Sequence, residues 1–476
     1  MKFKAAFLSF ILMAATLFAS IVPGTTTKAV EPGKAVVDSE LTKTLLTAIN
    51  PVEAIVTFKS DEGVLPEQVN LLKTLSITKG LTLNSLPIAG ILATKSQINK
   101  LAQSDQVVSI YLNKKLEYEN AEATDITGVD KVRTDDTMRK LNGGLPVTGK
   151  GIGVVINDSG VDGTHRDLEF GSHLVQNVLG STNLNAIDAT LLPVTYVENV
   201  PNTDSSSGHG THVAGIVGGT GEMSGGKYEG VAPSANLIGY GSGAAVAMLD
   251  TIGGFDYALT HQQEYNIRVI TNSWGDTGDA GTDFDPYNPI NIATKKLYDR
   301  GIVTVFSAGN SGPDAKTISG NYKKAPWVVT VAAGDKSGKL ADFSSRGEEG
   351  RGGSVTVDGQ TWKWADQPTV TSPGVDIIST RVISPLVLLG ATADAEYIEP
   401  AHLPYYTTMS GTSMAAPHVA GIIALMLEAN PLLSPSEVKS ILEKTATSMP
   451  DYAVWEVGAG YVNAYNAVDA AFKKKK

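Results

Sequence analysis

Gly151-Ile152-Gly153-Val154-Val155-Ile156 runs straight into Asn157-Asp158-Ser159-Gly160. An apolar run without alternation reads as a strand buried on both faces, closed by a polar turn. Similar short runs follow at Val269-Ile270, Ile302-Val303-Thr304-Val305-Phe306, residues 328–332 and Val375-Asp376-Ile377-Ile378. Residues 415–427 have the pattern of a long apolar helix. Buried strands alternating with helices predict an α/β fold, a parallel sheet covered on both faces. Chemistry in such sheets gathers at the carboxyl ends of the strands. Asp158 stands at one of them and is a candidate functional carboxylate, although an Asp-Ser-Gly turn alone is weak evidence.

The rest of the chain sets limits. Its 476 residues exceed the usual size of one domain. Charged residues at 18 % and apolar residues at 42 % make it globular rather than disordered. A formal charge of −11 gives no general electrostatic reason to bind nucleic acid or an anionic membrane. The absence of cysteine excludes a disulfide scaffold, thiolate metal sites and a cysteine nucleophile.

Two segments precede the first strand. Lys2 and Lys4, the apolar run 5–19 and Thr27-Lys28-Ala29 have the layout of a secretory signal peptide over residues 1–29. The expected product is secreted, extracellular and without stable membrane insertion. Residues 30–119 differ in character. Strands are expected at Glu53-Ala54-Ile55-Val56-Thr57-Phe58, at 81–83, at Ile88-Ala89-Gly90-Ile91-Leu92-Ala93 and at 107–116. Helices are expected over 66–75 and 95–102. The order β-α-β-β-α-β is ferredoxin-like. This segment has no histidine and no constellation that suggests chemistry.

Two further strings carry reactive groups. Gly208-His209-Gly210-Thr211-His212-Val213-Ala214-Gly215 places a histidine at a helix start, with glycines that permit close approach. A metal reading of His209 and His212 lacks a third nearby ligand and the His-Glu-x-x-His pattern. Ser410-Gly411-Thr412-Ser413-Met414-Ala415-Ala416-Pro417-His418-Val419-Ala420-Gly421 places a serine before an apolar helix. Ser413 there is either an N-cap or a hydroxyl where the helix terminus favours developing negative charge. The order Asp, His, Ser is one known solution to activating a serine: the imidazole takes the proton and a buried carboxylate orients it.

With these three strings the chain resembles the subtilisin-like serine proteases, the subtilases of peptidase family S8, over residues 126–471. Gly230-Val231-Ala232-Pro233-Ser234-Ala235 resembles a further family segment. The resemblance implies a three-layer α/β/α catalytic domain over residues 120–476. It implies Asp158 as orienting acid, His209 as general base and Ser413 as nucleophile, with His212 and His418 structural. In Ser307-Ala308-Gly309-Asn310-Ser311-Gly312 it implies that Asn310 donates to the oxyanion together with the Ser413 backbone N–H. Ser273, Trp274 and Gly275 resemble one wall of the substrate cleft, Ala308 and Gly309 the opposite wall, and Gly320 its base. None of these is charged, so the expected preference is broad, for apolar or aromatic residues before the scissile bond. Trp274 stands where an aliphatic residue is usual and is expected to narrow the cleft.

Residues 30–119 resemble the inhibitor-like propeptide of these enzymes, a folding assistant and inhibitor cut off within 116–121. The implied protein is a secreted endopeptidase made as a zymogen and acting on proteins or peptides. The chain departs from the family in long stretches at 177–207, 276–289, 346–368 and 381–406, which read as loops. Val370-Thr371-Ser372-Pro373-Gly374 departs from the family's Ala-Pro-Gly. Residues 221–229 lack the asparagine that helps hold calcium in many members. No cofactor is required for the chemistry. Asp276, Asp279, Asp283 and Asp285 are candidates for a structural calcium, weighed against a solvated acidic loop. Rival readings are a processing protease for one partner and a catalytically silent binding protein. The intact Asp158, His209, Ser413 and Asn310 argue against the latter.

Overall fold

The strand Gly153–Asp158 forms as part of a seven-stranded sheet, and all six of its residues are buried. In the computed structural model the described residues are 35–113, 117–118, 125–180, 191–243, 247–382 and 391–474. The signal-peptide reading of 1–29 lies outside them, and so does the stretch 116–121 except Glu117 and Tyr118. The sheet order is Val370–Pro373, Val329–Gly334, Val303–Ser307, Ile267–Asn272, Gly153–Asp158, Asn236–Gly241, Leu174–Leu179. Every pairing in it is parallel. Three of these strands have no counterpart in the expected runs: Leu174–Leu179, Asn236–Gly241 and Val370–Pro373.

Side-chain alternation along the central strand explains the layers. Val154 and Ile156 join a core with the helices His209–Gly218, Thr412–Ala429 and Ala464–Lys473. Val155 between them joins the other core, with Met248–Thr260 and Pro289–Asp299. A sheet buried on both faces reads as near-continuous apolar runs, and Val154, Val155 and Ile156 form one of them. Thr412–Ala429 is long and apolar enough to cross a membrane, yet 89 % of it is buried inside the protein as a core helix.

Strand order also positions the site. From Gly153–Asp158 the chain first builds outward to one edge and then, at Ile267–Asn272, to the other. The reversal opens a crevice beyond the carboxyl ends of these two neighbours. Ile156 pairs with Thr271, and Asn272 with Phe306, so Asp158, Asn272 and Ser307 all emerge at one edge.

The N-terminal unit has four antiparallel strands in the order Val107–Leu112, Val52–Phe58, Ile88–Ala93, Gly80–Thr82. Helices Pro66–Thr74 and Lys95–Leu101 complete a ferredoxin-like arrangement. A short strand Val36–Val37 and a helix Ser39–Thr47 precede it, which the sequence pattern did not reveal. Leu192–Pro193, from the long stretch 177–207, extends its sheet alongside Gly80–Thr82. The two units share a core, since Ile55, Leu83, Leu86 and Ile88 pack with Val155, Leu249 and Phe255. Asp256 accepts from the backbone N–H groups of Asn84 and Ser85, and Tyr111 bonds to Asp285.

Two expectations need correction. Ile377–Thr380 is not in the parallel sheet; it forms an antiparallel pair with Tyr406–Met409. Four apolar-to-mixed residues carry no information about which partner they find. The stretch 346–368 is not all loop, because Gly352–Val357 and Gln360–Ala365 make a hairpin. Its Trp362 packs edge-on against Trp327 at 5.4 Å.

Candidate active site

Asp158 ends its strand and is 1 % exposed. Its Oδ1 accepts the Ser159 N–H at 2.7 Å and lies 2.6 Å from His209 Nδ1. His209 opens the helix His209–Gly218 after Gly208, whose φ of 83° suits a residue without a side chain. Gly210 sits against the turn: a Cβ there would stand 2.2 Å from the Gly160 carbonyl oxygen. The helix start is fastened by Asp204. This buried carboxylate accepts from Gly208 N–H at 2.9 Å, Thr211 N–H at 3.0 Å, Thr211 Oγ1 at 2.6 Å and Ser159 Oγ at 3.0 Å. Burial pushes the Asp204 carboxyl above its ordinary range, and these four donors pull it back. Ser159 Oγ in turn accepts from the Gly210 N–H at 2.8 Å.

The other histidines have different work. His212 is buried, and its Nε2 is 3.1 Å from the Thr407 carbonyl. Burial pushes its pKa down to about 3, so it stays neutral. His418 Nε2 is 2.8 Å from Thr127 Oγ1. Among the described residues no group of three or more His, Cys, Asp or Glu converges on a point where a metal could sit.

Ser413 is the second residue of Thr412–Ala429 and not its cap. Its Oγ donates to the Ser273 carbonyl at 3.1 Å, and Ser273 Oγ donates to the Ser413 carbonyl at 2.6 Å. Thr412 holds Asn310: its N–H and its Oγ1 both donate to Asn310 Oδ1, at 2.8 and 3.1 Å. Thr412 Oγ1 also accepts the Gly309 N–H at 3.0 Å. With its oxygen so engaged, the Asn310 amide presents its NH2 to the opposite side.

Two of the residues expected at one cleft wall form a short strand. Trp274–Gly275 pairs antiparallel with Glu117–Tyr118 at the end of the N-terminal unit. Trp274 does not narrow the cleft with its ring. The indole is fully buried, donates from Nε1 to the Asn157 carbonyl at 2.9 Å and packs edge-on against Phe306 at 5.2 Å. The large apolar ring goes into the core and leaves only its backbone at the wall. The residues expected to line the cleft are uncharged, but a charged one lies beside them. Lys323, in the turn Asn321–Lys324 just beyond Gly320, lies with Nζ against Gly275, where a Cβ would stand 2.5 Å from it. Gly320 itself has a φ of 98°, and a Cβ there would meet the Tyr322 ring.

A family profile, the subtilase family of peptidases S8, matches residues 149–467. Serine protease AprX of Bacillus subtilis (strain 168) is 33 % identical over 387 residues, covering 77 % of this chain and 76 % of that protein. Subtilisin E of the same organism is 32 % identical over 330 residues, covering 67 % and 66 %. The chain belongs to the subtilase family.

It is a serine endopeptidase whose substrates are proteins or peptides. The subtilase fold is also that of the solved structure of fervidolysin from Fervidobacterium pennivorans, with a TM-score of 0.61 at 22 % identity, over 92 % of this chain and 63 % of that one. A structure titled S41 psychrophilic protease gives 0.51 at 25 % identity, over 72 % and 99 %.

The acidic stretch of this subtilase does not fit a calcium site. Asp276 accepts the Gly278 N–H, Asp279 accepts from Asn321, Asp283 pairs with Arg351 and Asp285 bonds to Tyr111. Each carboxylate is turned to a different partner, whereas calcium needs six to eight converging oxygens. Sequence reading missed four residues that hold the candidate site residues or lie beside them: Ser159, Asp204, Thr412 and Lys323. A signal existed for Asp204, an acid shortly before a helix start. The others depend on contacts distant in sequence.

Proposed function

We propose that this subtilase is exported behind residues 1–29, folds with residues 30–119 as a propeptide and acts through residues 120–476. Asp158, His209 and Ser413 are its triad, and Asn310 with the Ser413 N–H forms its oxyanion hole. The observation that carries this is the buried 2.6 Å contact between His209 Nδ1 and Asp158 Oδ1. It fixes the imidazole with Nδ1 protonated and Nε2 available as base.

For reaction, Ser413 Oγ turns from the Ser273 carbonyl to His209 Nε2 and gives up its proton as it attacks the peptide carbonyl. Negative charge develops on the carbonyl oxygen, where Asn310 Nδ2 and the Ser413 N–H donate to it. Asn310 is pre-aimed by Thr412, so little reorganisation is needed in the transition state. His209 then protonates the leaving amine. Water repeats the sequence on the acyl-enzyme and restores Ser413.

The pairing of Glu117–Tyr118 with Trp274–Gly275 supports the zymogen reading, because it lays the end of the N-terminal unit along the cleft wall as a substrate strand would lie. Slow formation of a long-range parallel sheet gives such a unit a folding role. The test compares wild type with Ser413→Ala. Wild type is expected to release the N-terminal unit, hydrolyse casein and take a fluorophosphonate label, and the variant to do none of these. Equal processing of both chains would refute self-cleavage by this triad. Recovery in the medium of a chain starting at Val30 in the Ser413→Ala culture checks export.

A further inference from the structure

We infer that the pocket for the residue before the scissile bond reads a carboxylate side chain, with Lys323 as the specificity-determining residue. The inference rests on the triad reading and names the substrate class of the same site.

The two expected walls meet one pair of donors. A Cβ on Gly275 would stand 2.5 Å from both Lys323 Nζ and Ser319 Oγ, and a Cβ on Gly309 would stand 2.8 Å from Ser319 Oγ. Lys323 Nζ donates to Ser319 Oγ at 2.9 Å. The ammonium and the hydroxyl therefore sit together on the floor between the walls. Lys323 is 1 % exposed with the N-terminal unit in place. In so dry a site a charge-assisted bond to the ammonium counts for more than it would in water. A carboxylate is acceptor-only and carries the matching charge, so its bonds to an ammonium and a hydroxyl are charge-assisted. An aliphatic or aromatic side chain in the same place desolvates the cation and returns nothing. The glycines at 275 and 309 keep this floor reachable.

The chain carries a candidate first substrate of this class. The stretch 116–121 reads Leu-Glu-Tyr-Glu-Asn-Ala. It offers two acidic residues, of which Glu117 is paired with Gly275.

The test uses the mature enzyme and quenched peptides identical except for Glu, Gln, Leu, Phe or Lys before the scissile bond. The expected kcat/KM for Glu exceeds that for Gln by about tenfold or more and is the highest of the set. Lys323→Met lowers the Glu-to-Leu ratio by about tenfold or more, and Lys323→Arg retains a ratio in favour of Glu. Wild type cutting Leu or Phe faster than Glu would overturn the inference, as would a ratio unmoved by Lys323→Met. If that variant does not mature, the wild-type ratios and the N-terminus of the mature wild-type chain decide. A start at Tyr118 or Asn120 supports an acidic residue before the bond, and a start at Glu117 or Glu119 opposes it. A fluorophosphonate label on Ser413 together with a preference for Leu breaks this inference alone. Absence of the label breaks the triad reading, and this inference with it.

Discussion

The two sides of the cleft are built differently. On the Asp158–His209 side the groups come from a strand end and the first turns of one helix, and Ser159 and Asp204 knot them together within a few ångströms. Gly210 and Gly160 leave no room for a methyl group. On the Ser273–Gly275 side the floor and walls come from segments far apart in the chain, joined by contacts such as Thr412 to Asn310 and Lys323 to Ser319. One side is redundant and fixed; the other is assembled from separable parts. Fixed geometry serves proton transfer, which fails when a base shifts by an ångström. Separable parts serve recognition.

That contrast can be broken from either side. The largest effect is expected from Asp158→Asn, which leaves the shape but turns the imidazole to the wrong tautomer. Steady-state kinetics should show kcat lower on the order of ten-thousandfold with KM little changed, a size taken from related triads. A loss mainly in KM would contradict the role of Asp158. Next is Asn310→Ala on the other side, expected to cost about a hundredfold to a thousandfold in kcat, a size measured in a subtilisin. A wild-type rate in that variant would remove Asn310 from the oxyanion hole.

Asp204→Ala should act through stability first. Its four donors would lose their acceptor in a buried site, and a drop of about 2–3 kcal/mol in urea unfolding is expected. An unchanged midpoint would show the knot to be ornamental. The last effect is graded by pH and is small at any one step of it. His212 is held neutral in the folded protein with a pKa near 3, against an ordinary 6.5. Because the unfolded chain takes up the proton first, its contribution is complete above about pH 6.5 and is lost as pH falls toward 3. The expected slope is about 1.4 kcal/mol per pH unit in that window. His212→Gln should flatten it, and an identical slope in both proteins would exclude His212 as its source.

Legibility in the sequence follows a different divide. Asp158, His209, Asn310 and Ser413 could be named from the sequence because each stands within a contiguous string that resembles the family's, although their partners lie 51 to 140 residues away. The parallel sheet was expected from its apolar runs, yet Asn236–Gly241 was missed, since a strand ending in Gly-Tyr-Gly looks like a turn. Trp274 was expected at a cleft wall with its ring narrowing the cleft, but its ring direction depends on Phe306 and the Asn157 carbonyl, which no local pattern encodes. Lys323 was invisible for a similar reason. A lysine pair in a short turn reads as solvated surface, and only the meeting with Gly275 takes it inside.

The close packing of Gly210 has an evolutionary reading. A position where even a methyl would collide with a backbone oxygen admits almost no drift, so the reaction chemistry is written in text that resists editing. The floor of the neighbouring pocket turns on one lysine carried by a short turn. A lineage can then change its diet by a single replacement while its chemistry stands still.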